Sequence, residues 1–315
     1  MKFIVFAFDK RTHKYLSKIP GVVSFYFDLH ASEDNVQFRV GDFNKISVGK
    51  FRTVHAVMKL GYNTIFSDPD VVILQDPMPL FSTPGIDYMH SVNARCSLTN
   101  HWTFYKEHRG GHEGNTGFYF IRSNPTSIAL FEQFFKTVPL PGQPFHFLDD
   151  QTLFWKFLRL HQFRTRRIDI PPPGPFHMIP TGQCHIASTK VSPLTEKNTK
   201  EPIASVMAAS ITATPLPFHS CHLDICQFPA GAVSSRVDLD TTLQKLKQQK
   251  DSKLYMIHAN YMEGNLNKQQ RLMEEGLWLA TRNAANTSWS GMCQSNINNG
   301  RLKPYVDIKG SNVGG

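Results

Sequence analysis

The stretch that decides the fold is YNTIFSDPDVVILQDP, residues 62–77. An apolar segment runs into Ser67, two aspartates follow at Asp68 and Asp70, and a second apolar segment, VVIL, follows them. Short runs of Val, Ile and Phe favour strand. The stretch therefore reads as two strands, 62–66 and 71–74, with Asp76-Pro77 halting the second. In extended backbone, side chains two residues apart project to one side. Asp68 and Asp70 thus point together, and Pro69 stiffens the link between them. Two carboxylates this close repel unless one holds a proton or a cation sits between them. A hard divalent ion, Mn²⁺ or Mg²⁺, takes oxygen ligands, uses one or two carboxylates and keeps positions for substrate phosphates. The alternative is a polar turn, in which Asp-Pro is common.

Working outward, strand-like and helix-like segments alternate. FIVFAF (3–8) is a continuous apolar run, as in a strand buried on both faces. A short helix follows from Lys10, and VVSFYF (22–27) is a second strand. NKISVGKFRTVHAVMKLG (44–61) is helical, with Phe51, Val54, Val57 and Met58 on one face and Gly61 placed to end it. IDYMHSV (86–92) and GFYFIR (117–122) read as strands. NPTSIALFEQFFKTV (124–138) is a helix with Pro125 in its first turn. DDQTLFWKFLRL (149–160) is a helix with acids at its start, where the helix dipole favours them. RRIDI (166–170) and HMIP (177–180) suggest two late strands. Residues 171–250 are otherwise Pro- and Ser-rich, so long loops are expected there. KLYMIHAN (253–260) is a final strand, and NLNKQQRLMEEGLW (265–278) a helix closed by Gly276. This alternation implies an α/β doubly wound sheet, in which ligands bind beyond the carboxyl ends of the strands.

Composition narrows the class. The chain has 315 residues, 41% of them hydrophobic and 19% charged, enough to bury a full core. Lys and Arg exceed Asp and Glu by 34 to 25, a formal charge of +9, which suits anionic phosphate substrates or acidic partners. There is no basic run and no nucleic-acid motif, so nucleic acid is not an expected partner. No Gly-Lys phosphate loop supports a phosphotransferase. The first apolar run is broken by Asp9 and Lys10, too soon for a membrane span. The five cysteines are irregularly spaced, compatible with one or two disulfides or with free thiols. The cluster HSCHLDIC (219–226) lacks the spacing of a zinc finger. Asn286-Thr287-Ser288 is the single glycosylation triplet.

Four segments occur in order: LGYNTIFSDPDVVILQDPMPLF, NTGFYFIRSNPTSIALFEQF, DDQTLFWKFL and HANYMEGNLNKQQRLMEEGLW. Together they resemble the nucleotide-diphospho-sugar transferase family typified by plant rhamnogalacturonan xylosyltransferases, family 77 glycosyltransferases. The resemblance covers residues 1–280, expected to be one GT-A-like catalytic domain, with residues 281–315 an irregular tail. It implies a GT-A-type doubly wound mixed sheet, mostly parallel. Family members carry a further strand and helix ahead of the segment matching residues 3–18, so this fold is expected to lack its first βα unit.

The implied activity is metal-dependent transfer of a sugar, with retention, from a nucleotide diphosphate donor such as a UDP-sugar to a glycan or glycoprotein hydroxyl. Mn²⁺ (or Mg²⁺) would be held by Asp70, Asp68 and His258, with Asp68 also reaching the donor ribose. Gly264 would let the backbone approach the diphosphate, and Lys268 would neutralise it or be a solvated helix residue. Asn115, before the strand GFYFIR, would lie near the sugar. Asp150 and Gln151 match the family's Asp-Gln pair. Asp150 would bond sugar hydroxyls or offset positive charge at the anomeric carbon, unless it serves only to start its helix. Lys50 and Arg52 would contact donor or acceptor, with a solvated role expected for at least one. The resemblance places the protein in the Golgi lumen or membrane, through an anchor absent from this chain, with the cytoplasm as alternative. The competing reading is a non-catalytic, N-terminally truncated relic that binds nucleotide or glycan.

Overall fold

A computed structural model describes residues 4–30, 42–82, 84–92, 114–139, 148–160, 184–187, 218–223, 226–230, 240, 242–244, 254–260, 265–275 and 277. It is a mixed α/β structure. The strands are β1 (Ile4–Ala7), β2 (Val23–Tyr26), β3 (Thr64–Ser67), β4 (Val71–Ile73), β5 (Tyr88–Val92), β6 (Gly114–Ile121), β7 (Cys184–Ala187), β8 (Phe218–His222) and β9 (Met256–His258). The helices are α1 (Lys10–Leu16), α2 (Phe43–Lys59), α3 (Met78–Phe81), α4 (Pro125–Thr137), α5 (Asp150–Leu160) and α6 (Asn265–Glu274).

Local chemistry explains the helix boundaries. The Asp9 carboxylate accepts the Thr12 amide at 2.7 Å and starts α1. Asn124 does the same for Ser127 at 2.8 Å, with Pro125 in the first turn of α4. Gly61 ends α2 at φ +86°, a conformation that suits a residue without Cβ.

A five-stranded sheet in the order β3-β6-β5-β8-β7 forms the centre. Its inner strand β6, between β3 and β5, is buried along its whole length, and its side chains alternate between two cores. Tyr119 and Ile121 join Phe51, Phe131, Phe134 and Phe154 under α2, α4 and α5. Phe118 and Phe120 join Phe81, Phe228, Tyr255 and Met256 on the opposite side. Phe51 sits at the centre of the first core, its ring 4.7 Å from Phe154 and 5.2 Å from Phe131. Each such ring contributes about 1.5–3 kcal/mol of burial. Beside the central sheet lie two strand pairs, β1-β2 and β4-β9.

Several expectations change. The described sheets are mostly antiparallel. Only β1-β2 and β5-β8 run parallel, whereas β3-β6, β5-β6, β7-β8 and β4-β9 run antiparallel. The mostly parallel sheet that the resemblance implied is therefore not what the described strands form, and the apolar runs, which report burial on both faces, carry no information on direction. Strand β6 begins at Gly114, three residues before the expected start, so Asn115 lies inside it. The expected loop region 171–250 supplies β7 and β8, whose His, Ser and Cys content hides their pairing to each other and to β5. RRIDI and HMIP lie outside the described residues, as does the tail 281–315. Among the described residues, no helix is long and apolar enough to cross a membrane.

Candidate active site

The aspartate pair occupies the seam between two sheets. Strand β3 belongs to the central sheet and β4 to the β4-β9 pair, and Asp68-Pro69-Asp70 is the turn that joins them. Each aspartate is tied by its backbone to a different neighbour. The Asp68 amide donates to the Gly117 carbonyl on β6 at 2.7 Å, and the Asp70 carbonyl accepts the Ala259 amide after β9 at 2.9 Å. The antiparallel register sets His258 opposite Val71. This brings the imidazole of a distant segment to the aspartates.

Asp68, Asp70 and His258 offer ligand atoms that all lie within 4.8 Å of one another. His258 Nε2 is 3.2 Å from Asp70 Oδ1. Two ligand atoms about 2.1 Å from one metal at a right angle lie about 3 Å apart, so this spacing fits a shared cation. Two carboxylates and one imidazole also form the donor set that Mn²⁺ accepts. The residues present therefore fit a divalent ion.

Two lysines flank the group. Lys268, on the first turn of α6, places Nζ 2.6 Å from Asp70 Oδ2. Lys50, on α2, lies 3.2 Å from Asp68 Oδ1 and 3.3 Å from Asp150 Oδ2. Three carboxylates against two ammoniums leave one excess negative charge, which a divalent cation would reverse to suit an anionic diphosphate. Asp70 is held well below the usual carboxylate range by His258 and Lys268, against the opposing effect of its burial. Asp150 behaves differently. Burial pushes it up to about 6, with Lys50 pulling the other way. Asp150 and Asp68 hold the Lys50 ammonium above its ordinary value in spite of burial.

The structure separates the two acids at the start of α5. Asp149 Oδ1 accepts the Thr152 amide at 2.7 Å and caps the helix. Asp150 is thereby left to face Lys50, and its own amide donates to Ser47 Oγ at 3.2 Å. Gln151 follows, half-buried, on the first turn. Asn115 is buried, and its side-chain oxygen accepts the Gly117 amide at 2.8 Å. Arg52 takes the solvated role. It is exposed, and its guanidinium stacks 4.9 Å over Phe135. Gly264 lies outside the described residues. Cys226 is disulfide-bonded, so its sulfur is not a zinc-binding thiolate.

Sequence reading missed the bridging position of Lys50 and the parts played by Ser47 and Thr116, the latter hydrogen-bonded to Asp150. The available signal was the pair Ser47 and Lys50, three apart and so on one helix face, amid the buried Val48, Phe51 and Val54.

Comparison with known proteins identifies the family. Residues 1–272 match the nucleotide-diphospho-sugar transferase family. The chain is 29% identical over 158 residues to beta-arabinofuranosyltransferase RAY1 of Arabidopsis thaliana, which covers 50% of this chain and 27% of that protein. It is 33% identical over 98 residues to the uncharacterized protein At1g28695 of the same plant, covering 31% of this chain and 26% of that one. The matches thus span about a quarter of each relative's length. With a family match across most of its length, the chain belongs to the nucleotide-diphospho-sugar transferase family.

Proposed function

We propose that this chain is the catalytic unit of a metal-dependent, retaining glycosyltransferase of GT-A type, comprising residues 1–280. The observation that carries the reading is the meeting of Asp68, Asp70 and His258 beside Lys268. Asp70, Asp68 and His258 would hold Mn²⁺ or Mg²⁺, which when bound supplies Lewis-acid stabilisation of a departing diphosphate. The Lys268 ammonium adds fixed positive charge at the same place. Gly264, one residue before α6 in the sequence, would let the backbone approach the diphosphate, as the resemblance implies. Asn115 and Gln151 orient sugar hydroxyls, as carboxamides both donate and accept. Asp150, anchored by Lys50, sets a negative charge against the positive charge that develops at the anomeric carbon.

The donor is a UDP-sugar and the acceptor a glycan or glycoprotein hydroxyl. A pentosyl donor is the first to test, because RAY1 is named for arabinofuranosyl transfer. The disulfide at Cys226 supports a secretory compartment such as the Golgi lumen, since disulfides persist in oxidising surroundings.

The test is binding of UDP and hydrolysis of a panel of UDP-sugars, with Mn²⁺ and with chelator. Metal-dependent binding, with hydrolysis of one donor, is the expected result. UDP binding that chelator leaves unchanged, with no hydrolysis of any donor, overturns the reading.

A further inference from the structure

Strand β6 opens with Gly114-Asn115-Thr116-Gly117, and the second glycine stands where three site residues converge. A Cβ built on Gly117 would collide with Cε1 of the His258 ring. It would also come within 2.9 Å of both Asn115 Oδ1 and Asp68 Oδ2. Contacts under about 3 Å between a Cβ and other heavy atoms force something to move. The ring has little freedom to yield. His258 is 3% exposed, its backbone is locked in the β4-β9 ladder, and its Nε2 is held 3.2 Å from Asp70. Gly117 is equally fixed. Its carbonyl accepts the Asp68 amide at 2.7 Å and its own amide donates to Asn115 at 2.8 Å. Its φ is not in the left-handed region, so backbone freedom does not explain a glycine here. What the position requires is the absence of a side chain.

We propose that Gly117 is a positioning residue for the metal triad: the space above its Cα is where the His258 ring must lie to meet Asp68 and Asp70. The inference rests on the metal reading above, because it assigns the ring a purpose at that spot. Any side chain at 117 displaces the imidazole from the aspartates, although it leaves every proposed ligand in the sequence. Outer groups that orient ligands cost about 10- to 100-fold in metal affinity when changed, and the same loss is expected here.

The experiment is a double-mutant cycle on Gly117→Ala and His258→Ala, read by Mn²⁺ titration with electron paramagnetic resonance and by Tm in chelator. The single variant G117A should weaken Mn²⁺ binding about 10- to 100-fold and lower Tm. In the H258A background, the same change should cost much less on both readouts, because the ring it would strike is gone. Should G117A fail to fold, G117A/H258A should recover folded protein. Equal costs of G117A in both backgrounds, or a double variant folded no better than the single, overturn the proposal. A different result, H258A binding Mn²⁺ as tightly as the unmodified chain, overturns the metal reading itself, while the Tm cycle still reports the contact.

Discussion

His258 Nε2 lies 3.2 Å from Asp70 Oδ1, and the cause is the β4-β9 ladder, which pairs His258 with Val71. Replacing either partner removes one donor from the proposed ion. D70A and H258A should each weaken Mn²⁺ binding by more than the about 10- to 100-fold typical of outer-group changes. Calorimetric titration of Mn²⁺ into each variant checks this. Unchanged affinity in both would contradict the assignment.

Lys268 reaches the same carboxylate from α6. A hydrogen bond between charged groups contributes about 1.5–3 kcal/mol, and in the proposed donor complex that interaction would be available to the diphosphate. K268M should therefore weaken UDP binding in saturating Mn²⁺ by about tenfold or more. Mn²⁺ binding without nucleotide should hold or tighten, since a competing cation has left Asp70. The opposite signs distinguish this role from a general loss of structure.

Lys50 bridges two carboxylates at once, Asp68 and the buried Asp150. Removing one partner of a buried ion pair typically costs about 3–5 kcal/mol, because the other charge is stranded. K50M should be destabilised by about that amount in urea unfolding. Adding D150N should recover part of the loss, as the stranded charge is then gone. A double variant no more stable than K50M would show that Asp150 is not the residue left exposed to the penalty.

Asp150 also predicts a pH dependence. Its pKa is pushed from the ordinary 3.8 up to about 6 by burial. The folded state then binds a proton that the unfolded chain has released, so stability from this group is full below about pH 4 and falls as pH rises through about 6. The two limits differ by about 3 kcal/mol. Unfolding measured in chelator across this window should show the unmodified chain losing stability relative to D150N as pH rises. Asp70 has the opposite sign. Its lowered pKa gives stability above the unfolded value that is lost as pH falls, so D70N should flatten the acid side of the profile.

Phe51 tests the core that supports the site, being fully buried on α2 one residue after Lys50. F51A should cost about 3–5 kcal/mol, seen as a lower urea midpoint with the slope unchanged.

The amino-acid sequence by itself determined what is local. Apolar runs placed β3, β4 and β6 to within a few residues, and side-chain periodicity placed α2 and α4. Asp-Pro-Asp at a strand end marked the turn proposed to hold the metal. Sterics and burial of neighbouring residues decide these features, and both are legible in a short window. The resemblance supplied His258, Asp150, Asn115 and Lys268 as candidates, and the structure brings them to one place. Strand direction was not legible, because burial on both faces looks the same in parallel and antiparallel neighbours. Nor were β7 and β8, whose polar sequences form strands only through their partners. The division between Asp149 as cap and Asp150 as the Lys50 partner depends on where α2 lies. The need for a bare Cα at Gly117 depends on where β9 lies. Such distances belong to no segment alone. They are set by the register of β4 against β9 and of β3 against β6, and a slip of one residue would turn the functional side chains to the other face.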